Sequence, residues 1–400
     1  MPRWHSAAAE RAGRRVRFRK PTEGAYARLV GLSSWLGERC RTLTISALAN
    51  SSAGHKHRPM CAEFESFGEV ARGRVSAFPA IHEDELLYSI VARYGVLTGY
   101  NDARLANLDL FGSPFGHAAL RLPSHLNALA DRLPASLTLT GRDLLAKHTL
   151  LPYYCAYFST EKRRRAECAA LGEDTRIDRL VGADAQPLTP APVLRFCPRC
   201  LDDMERRRVD LHWKRAHQLP IVVVCPEHGC DLHESTAGIR PNDRLLHAAS
   251  RTSCPANAAS VIPSGVDVDR PALLSLAEAA STLMKGDYPV YADRAAVLGL
   301  ARAFRDLGYR RGSRINWRLL GPEIKRSVAA LSHVFPGIDR PGRWTGSWLE
   351  HALAPERPAR SDRILMAALL LARVDAVEPR FWAATDPSTG LPFLRLDDAL

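Results

Sequence analysis

Two short cysteine-bearing pairs limit how this chain can fold more than any other feature. "RFCPRC" (Arg195–Cys200) is followed, after 24 intervening residues, by "CPEHG" (Cys225–Gly229). Zinc takes four Cys or His ligands at tetrahedral corners, and a structural site closes that shell with protein groups alone. Two ligands three residues apart can come from one tight turn, and a proline after the first (Pro198, Pro226) preorganises it. Cys197, Cys200, Cys225 and His228 are therefore expected to meet round one structural Zn2+. A catalytic zinc would keep a position open for water, usually beside a carboxylate base, and neither HExxH nor HxE with CxxC occurs. A zinc-dependent nucleic-acid enzyme is accordingly the disfavoured alternative.

Other cysteines give less. Cys230, His233 and Cys254 are candidates for a second, incomplete metal site, since "TSCPANA" has the Cys-Pro start of another knuckle without its second cysteine. Buried or free thiols are the competing account. Nine cysteines, an odd number in a chain of 400 residues, argue against a disulfide framework.

The net charge of +12 is unevenly spread: residues 1–77 carry 14 Lys+Arg against 6 Asp+Glu, which leaves only +4 for the rest. That basic stretch, poor in periodic apolar pattern, is expected to be a disordered arm or sequence read from too early a start, with Met60 a later one. The longest apolar run, Ile364–Ala372, is far short of the ~20 residues of a membrane span, and no secretory signal precedes it. A cytoplasmic protein is expected, without membrane partners.

The remainder reads as mainly α with a small zinc-ribbon β element: a helical N-terminal region, a zinc-stapled ribbon, and a second helical domain. "DELLYSIVARYGVLTG" presents Leu86, Leu87, Ile90, Val91 and Tyr94 on one helical face, with acidic residues in the first turn and Gly95 at the end. "LTGRDLLAKHTLL" has Thr140 and Asp143 at capping-box spacing, with Pro152 expected to stop the pattern. His148, Tyr153, Tyr154, Phe158, Trp213 and Leu219 read as core. "DAQPLTPAP" is a connector, and Ile221–Val224, all β-branched, predict a buried strand. The expected domains are 78–236 with the metal site, a linker over 237–269, and a helical C-terminal domain over 270–400.

"RFCPRCL" and "HWKRAHQLPIVVVCPEHGCDLHES" together resemble the TniQ/TnsD family of transposition target-selection proteins. The shared features are an Arg-aromatic-Cys-Pro-x-Cys opening, a Trp-x-x-x-His-Gln-Leu-Pro stretch, and a Cys-Pro-x-His-Gly-x-x-Leu close. His212 stands where the family has an aromatic residue, and Val222 where glycine is frequent. "DELLYSIVARY", "LFG", "LPSHLNALA" and "HTLLPYYCAYF" extend the likeness upstream, so that it covers about Phe78 to Leu232. The stretch from "RWTGSW" to "LLLARV" is more loosely similar to the C-terminal part of TnsD-type members. The resemblance implies a non-catalytic selector that binds double-stranded DNA at an insertion site, nucleoid-associated when bound, and recruits an AAA+ ATPase. Shorter TniQ members dock on an RNA-guided complex instead, which keeps open a zinc-stapled adaptor that touches DNA little.

Under that reading the candidate DNA contacts fall in two groups. Arg206, Arg207 and Arg208 form a run after the first knuckle, and Lys214 and Arg215 lie near the ribbon; a solvated helical face explains such a run equally well. In "RDLGYRRGSRINWRLLGPEIKRSV", a helix, a glycine-marked turn and a second helix predict a helix-turn-helix shape. It carries Arg310, Arg311, Arg314, Arg318, Lys325 and Arg326.

Overall fold

The computed structural model describes residues 73–114, 122–172, 177–182, 193–238, 245–286, 295–335, 347–354, 360–374, 380–381 and 394–395; the side chains of 295–296, 326–330, 347–348 and those from 372 onward are excepted. All lie in one unit, Glu63–Leu400. Nearly all of the basic stretch 1–77, the connector at 184–192 and the "RWTG" start of the loosely similar stretch lie outside the described residues. The fold is mainly helical with a small ribbon at the cysteine region, as the sequence pattern predicts, and the described residues add two further two-stranded ribbons.

Among the described residues seven helices precede the metal region: α1 (Leu87–Thr98), α2 (Ala103–Phe111), α3 (Leu126–Arg132), α4 (Gly141–His148), α5 (Leu151–Cys155), α6 (Thr160–Leu171) and α7 (Ile177–Val181). The apolar face of α1 is buried as its periodicity requires, but the helix does not end at Gly95. It continues to Thr98 and stops at Gly99, whose φ of 72° is the left-handed conformation that glycine adopts without a Cβ penalty. Nor is its first turn acidic: Glu85 precedes the helix and is fully buried, held by Arg93 at 3.0 Å and Ser89 at 2.8 Å. The capping box at Thr140 forms, with Asp143 N–H donating to Thr140 Oγ1 at 3.1 Å. Pro152 does not end that helix; it sits in the first turn of α5, where its missing N–H leaves no hydrogen bond unmade.

Strands β1 (Val193–Phe196) and β2 (His233–Gly238) pair antiparallel, with Phe196 opposite His233, and the chain between them carries both knuckles. The expected strand at Ile221–Val224 is absent. These four side chains are fully buried in an irregular segment, tied by Val222 N–H to the Leu219 carbonyl and by an isolated bridge from Val224 to Asp231. Burial on every side selected β-branched residues here, and Arg195 supplies hydrogen bonds that a ladder would otherwise give. Its guanidinium donates to the carbonyls of Val222 and Leu219, each at 2.7 Å.

Helix α8 (Pro198–Arg206) follows β1 directly. Residues 245–269, expected as linker, are irregular but packed: Ala249, Cys254 and Ile262 are buried, and Val261 N–H bonds the Leu232 carbonyl. Then come α9 (Arg270–Lys285), α10 (Ala295–Asp306), hairpin β3 (Arg310–Arg311) and β4 (Arg314–Ile315), α11 (Trp317–Val328), α12 (Ser347–Ala352) and α13 (Ser361–Val374). The last ribbon pairs β5 (Arg380–Phe381) with β6 (Leu394–Arg395). Helix α9 packs on both α5 and α13, and Ser361 Oγ donates to the Tyr153 carbonyl at 2.5 Å, so one core runs through both helical blocks. No helix among the described residues is long and apolar enough to cross a membrane.

Candidate metal centre

Cys197 is the N-cap of α8 and Pro198 its first residue, so the first knuckle is the start of a helix and not a free turn. The Cys200 N–H donates to Cys197 Sγ at 3.4 Å, which aims both sulfurs to one side. In the second knuckle Gly229, at φ 62°, lets its N–H reach the Cys225 carbonyl at 2.8 Å, while Cys225 N–H bonds the Cys230 carbonyl at 2.7 Å.

The four ligand atoms of Cys197, Cys200, Cys225 and His228 lie within 4.8 Å of one another. Cys200 Sγ is 3.6 Å from Cys225 Sγ, and His228 Nδ1 is 3.3, 3.5 and 3.7 Å from the sulfurs of Cys200, Cys225 and Cys197. A tetrahedron with zinc bonds of ~2.3 Å to sulfur and ~2.0 Å to nitrogen has edges of about 3.8 Å and about 3.5 Å, so the donor set fits zinc. His228 Nε2–H donates to Asp203 Oδ2 at 3.1 Å, which fixes the tautomer that leaves Nδ1 free to ligate. Asp203 went unnoticed in the sequence, although it continues the helical three-residue spacing of Cys197 and Cys200.

The thiols themselves call for a cation. Hydrogen bonding to Cys197 and Cys225, then burial, push the Cys200 thiol far above its usual range. For Cys197 the downward pull of Cys200 is outweighed by the Cys225 contact and burial. Hydrogen bonds from both draw Cys225 far below. A divalent ion at their centre would stabilise all three as thiolates.

The segment 210–215 docks this centre on the N-terminal helices. Trp213 is buried, donating its backbone N–H to Ser89 Oγ at 3.0 Å and its indole N–H to the His247 carbonyl at 2.7 Å. Arg215 is buried against Asp84 at 3.2 Å and donates to the carbonyls of Ala146 and Thr149. Lys214 pairs with Glu227; burial alone would lower its pKa, but that carboxylate outweighs it and holds the ammonium charged. These two candidate DNA contacts are thus engaged inside the molecule, a use that sequence spacing does not reveal. Arg206, Arg207 and Arg208 are exposed, with Arg206 paired to Asp203. Arg251 bridges Asp202 and Glu205 on the same helix, each at 2.6 Å.

Cys230, His233 and Cys254 are not brought together. Among the described residues one cluster has metal-ligand geometry, and it contains none of them. Cys230 Sγ lies 3.3 Å from Cys197 Sγ, His233 Nδ1 bonds the Ala258 carbonyl at 2.9 Å, and Cys254 is buried beside Ser253.

In the second helical block, α10 and α11 are joined by the β3–β4 hairpin and not by the simple turn expected. Arg310 is buried at its base, donating to the Leu353 carbonyl at 3.3 Å, and Ile315 N–H bonds Glu350 Oε1 at 3.1 Å. Arg311 and Arg314 face each other across the hairpin, exposed, with Arg318 and Lys325 exposed on α11; the side chain of Arg326 lies outside the described residues.

A cleft of about 610 Å³ opens beside the centre, lined by His82, Asp84, Cys200, Asp203, His212 and Glu227 among others. The stacked rings of His82 and His212, 4.7 Å apart, form part of its wall.

Fold and site together define a mainly helical protein with a largely buried Cys3His cluster that could hold a metal ion. Residues 76–232 match the family model described as TniQ. Over 156 residues the chain is 31% identical to the transposon Tn7 transposition protein TnsD of Escherichia coli, which makes this region TniQ/TnsD-like. The match covers 38% of this chain and 30% of that relative. Both knuckles fall inside the matched residues; α9 to α13 fall beyond them.

Proposed function

We propose that the chain is a non-catalytic target-selection subunit for DNA transposition, binding double-stranded DNA at an insertion site and recruiting an AAA+ ATPase. The observation that supports it most is the TniQ-like region built round a four-ligand centre: a closed shell leaves no position for a reacting water, so its role is structural. In this reading Zn2+ holds the ribbon, and the helix–hairpin–helix of α10, β3–β4 and α11 meets DNA phosphates. Residues 297–325 hold seven Lys+Arg against two Asp+Glu, more than the whole surplus of residues 78–400. Like charges directly opposite on a hairpin are unfavourable, so Arg311 and Arg314 carry a repulsion that a bound phosphate would relieve.

The test is a binding titration of the purified chain against duplexes that contain or lack the insertion site, repeated across salt concentrations. Site preference of at least ~10³, with affinity falling steeply as salt rises, is expected. Equal binding to both duplexes would remove the reading.

A second reading has its own support. In the ribbon, residues 193–238 hold seven Lys+Arg and seven Asp+Glu, with Lys214 and Arg215 engaged internally. That surface suits protein better than phosphate, so the TniQ-like region is the part that docks on the ATPase or on an RNA-guided complex. Affinity capture with and without nuclease separates the two: partners that persist after digestion are held by protein contacts.

A further inference from the structure

Cys230 is a fourth sulfur beside a centre of three cysteines and one histidine. Its Sγ is 3.3 Å from Cys197 Sγ, as close as any donor pair within the shell, yet it lies outside the set of atoms that converge on one point. Its thiol is half-buried, whereas Cys197, Cys200 and Cys225 are buried. The second knuckle fixes it there, because its carbonyl accepts the Cys225 N–H at 2.7 Å. Four other side chains already supply the converging donor set, so a metal there does not require Cys230.

We propose that Cys197 and Cys230 form an oxidation-sensitive pair, a modification site at which peroxide converts a zinc ligand into half of a disulfide. In the reduced state the two sulfurs already lie within hydrogen-bond distance, at 3.3 Å. On exposure, the Cys230 sulfur takes an oxygen from hydrogen peroxide to give sulfenic acid and water. The Cys197 sulfur, as thiolate, then attacks that sulfur; the S–S bond forms, the S–O bond breaks, and the hydroxyl leaves as a second water with one proton taken up, so that Cys197 could no longer ligate a metal. Peroxide is reduced by two electrons and the two thiols are oxidised by two, so the step balances. With three ligands left, the ion is released and the ribbon loses its staple. Cys254, the remaining cysteine near the ribbon, is buried beside Ser253 and no ligand sulfur contacts it among the described residues.

This rests on the zinc reading, and the experiment separates the two. Metal analysis of the reduced full-length chain decides whether zinc is bound. Peptide mapping after graded hydrogen peroxide decides the sulfur pairing whether or not metal is present. Expected are a Cys197–Cys230 disulfide as the first bridge to appear, zinc release in step with it, and recovery on adding reductant and zinc. In Cys230→Ser, and in Cys230→Ala should serine misfold, release is expected to slow at least ~10-fold, because the thiol that peroxide oxidises first is gone. A first bridge between any other pair, or unchanged release in both variants, would overturn the proposal.

Discussion

The metal ribbon and the C-terminal helix–hairpin–helix carry the same number of basic side chains and use them in opposite ways. Residues 193–238 balance seven with seven acids, and Arg195, Lys214 and Arg215 are all turned to internal acceptors. Residues 297–325 set seven against two, and only Arg310 is drawn inward. Charge in the first region organises the irregular backbone that lies between the paired strands β1 and β2. In the second, helices and a hairpin satisfy their own backbone, which leaves guanidinium groups available to an outside anion. Density of arginine in a sequence therefore says little about DNA until the acceptors around it are known.

The largest effect expected of any single change falls on the ribbon. Cys200→Ala should abolish metal binding and unfold residues 193–238 together, since structural zinc binding is worth on the order of 10 kcal/mol to a fold of this kind. Zinc stoichiometry and hydrogen exchange across the ribbon measure both. A variant that keeps the ribbon protected without metal would break the contrast, because the ribbon would then not need its staple. Next is Arg215→Ala, which strands the half-buried Asp84 carboxylate and two carbonyls. A loss of about 3–5 kcal/mol in denaturant unfolding is expected, with DNA affinity per folded molecule unchanged.

The sequence made the four ligands legible because tetrahedral geometry acts through short spacing: proline-bearing pairs three apart leave few arrangements. It revealed the helices for the same reason, their apolar residues recurring every turn. Ile221–Val224 were misread because β-branched residues signal burial as readily as strand, and the deciding hydrogen bonds come from Arg195, distant in sequence. Gly95 was misread as a terminator since glycine stops a helix only where the chain needs positive φ, and here that is Gly99. Asp203, Asp84 and Cys230 owe their roles to contacts between elements, which no local pattern encodes.

Acidification sharpens the contrast between buried and exposed charge. Burial, ahead of its other neighbours, pushes the His148 imidazole down from 6.5 to about 4, and His212 likewise. Below pH 6.5 the unfolded chain takes up protons that the folded chain refuses. Stability from each group is therefore full above 6.5 and lost as pH falls toward 4, by up to about 3 kcal/mol. Glu85, raised first by burial, works in the opposite sense. His148→Gln should show a shallower fall in urea midpoint between these pH values than the parent chain; that difference isolates His148 from proton competition at the metal centre.

The smallest effect on the fold, and the sharpest on the comparison, comes from Arg311→Ala with Arg314→Ala. Removing both lifts a cross-strand repulsion, so thermal stability should stay level or rise slightly. If the hairpin meets two phosphates, the slope of log affinity against log salt should flatten by ~2, and binding should weaken equally on duplexes with and without the insertion site. Replacing Arg206 and Arg207 with alanine should leave that slope unchanged, since the run lies in the charge-balanced ribbon and Arg206 already faces Asp203. Equal flattening by the two pairs would mean that the ribbon's arginines reach DNA as the hairpin's do, and that internal pairing is no guide to which basic region binds.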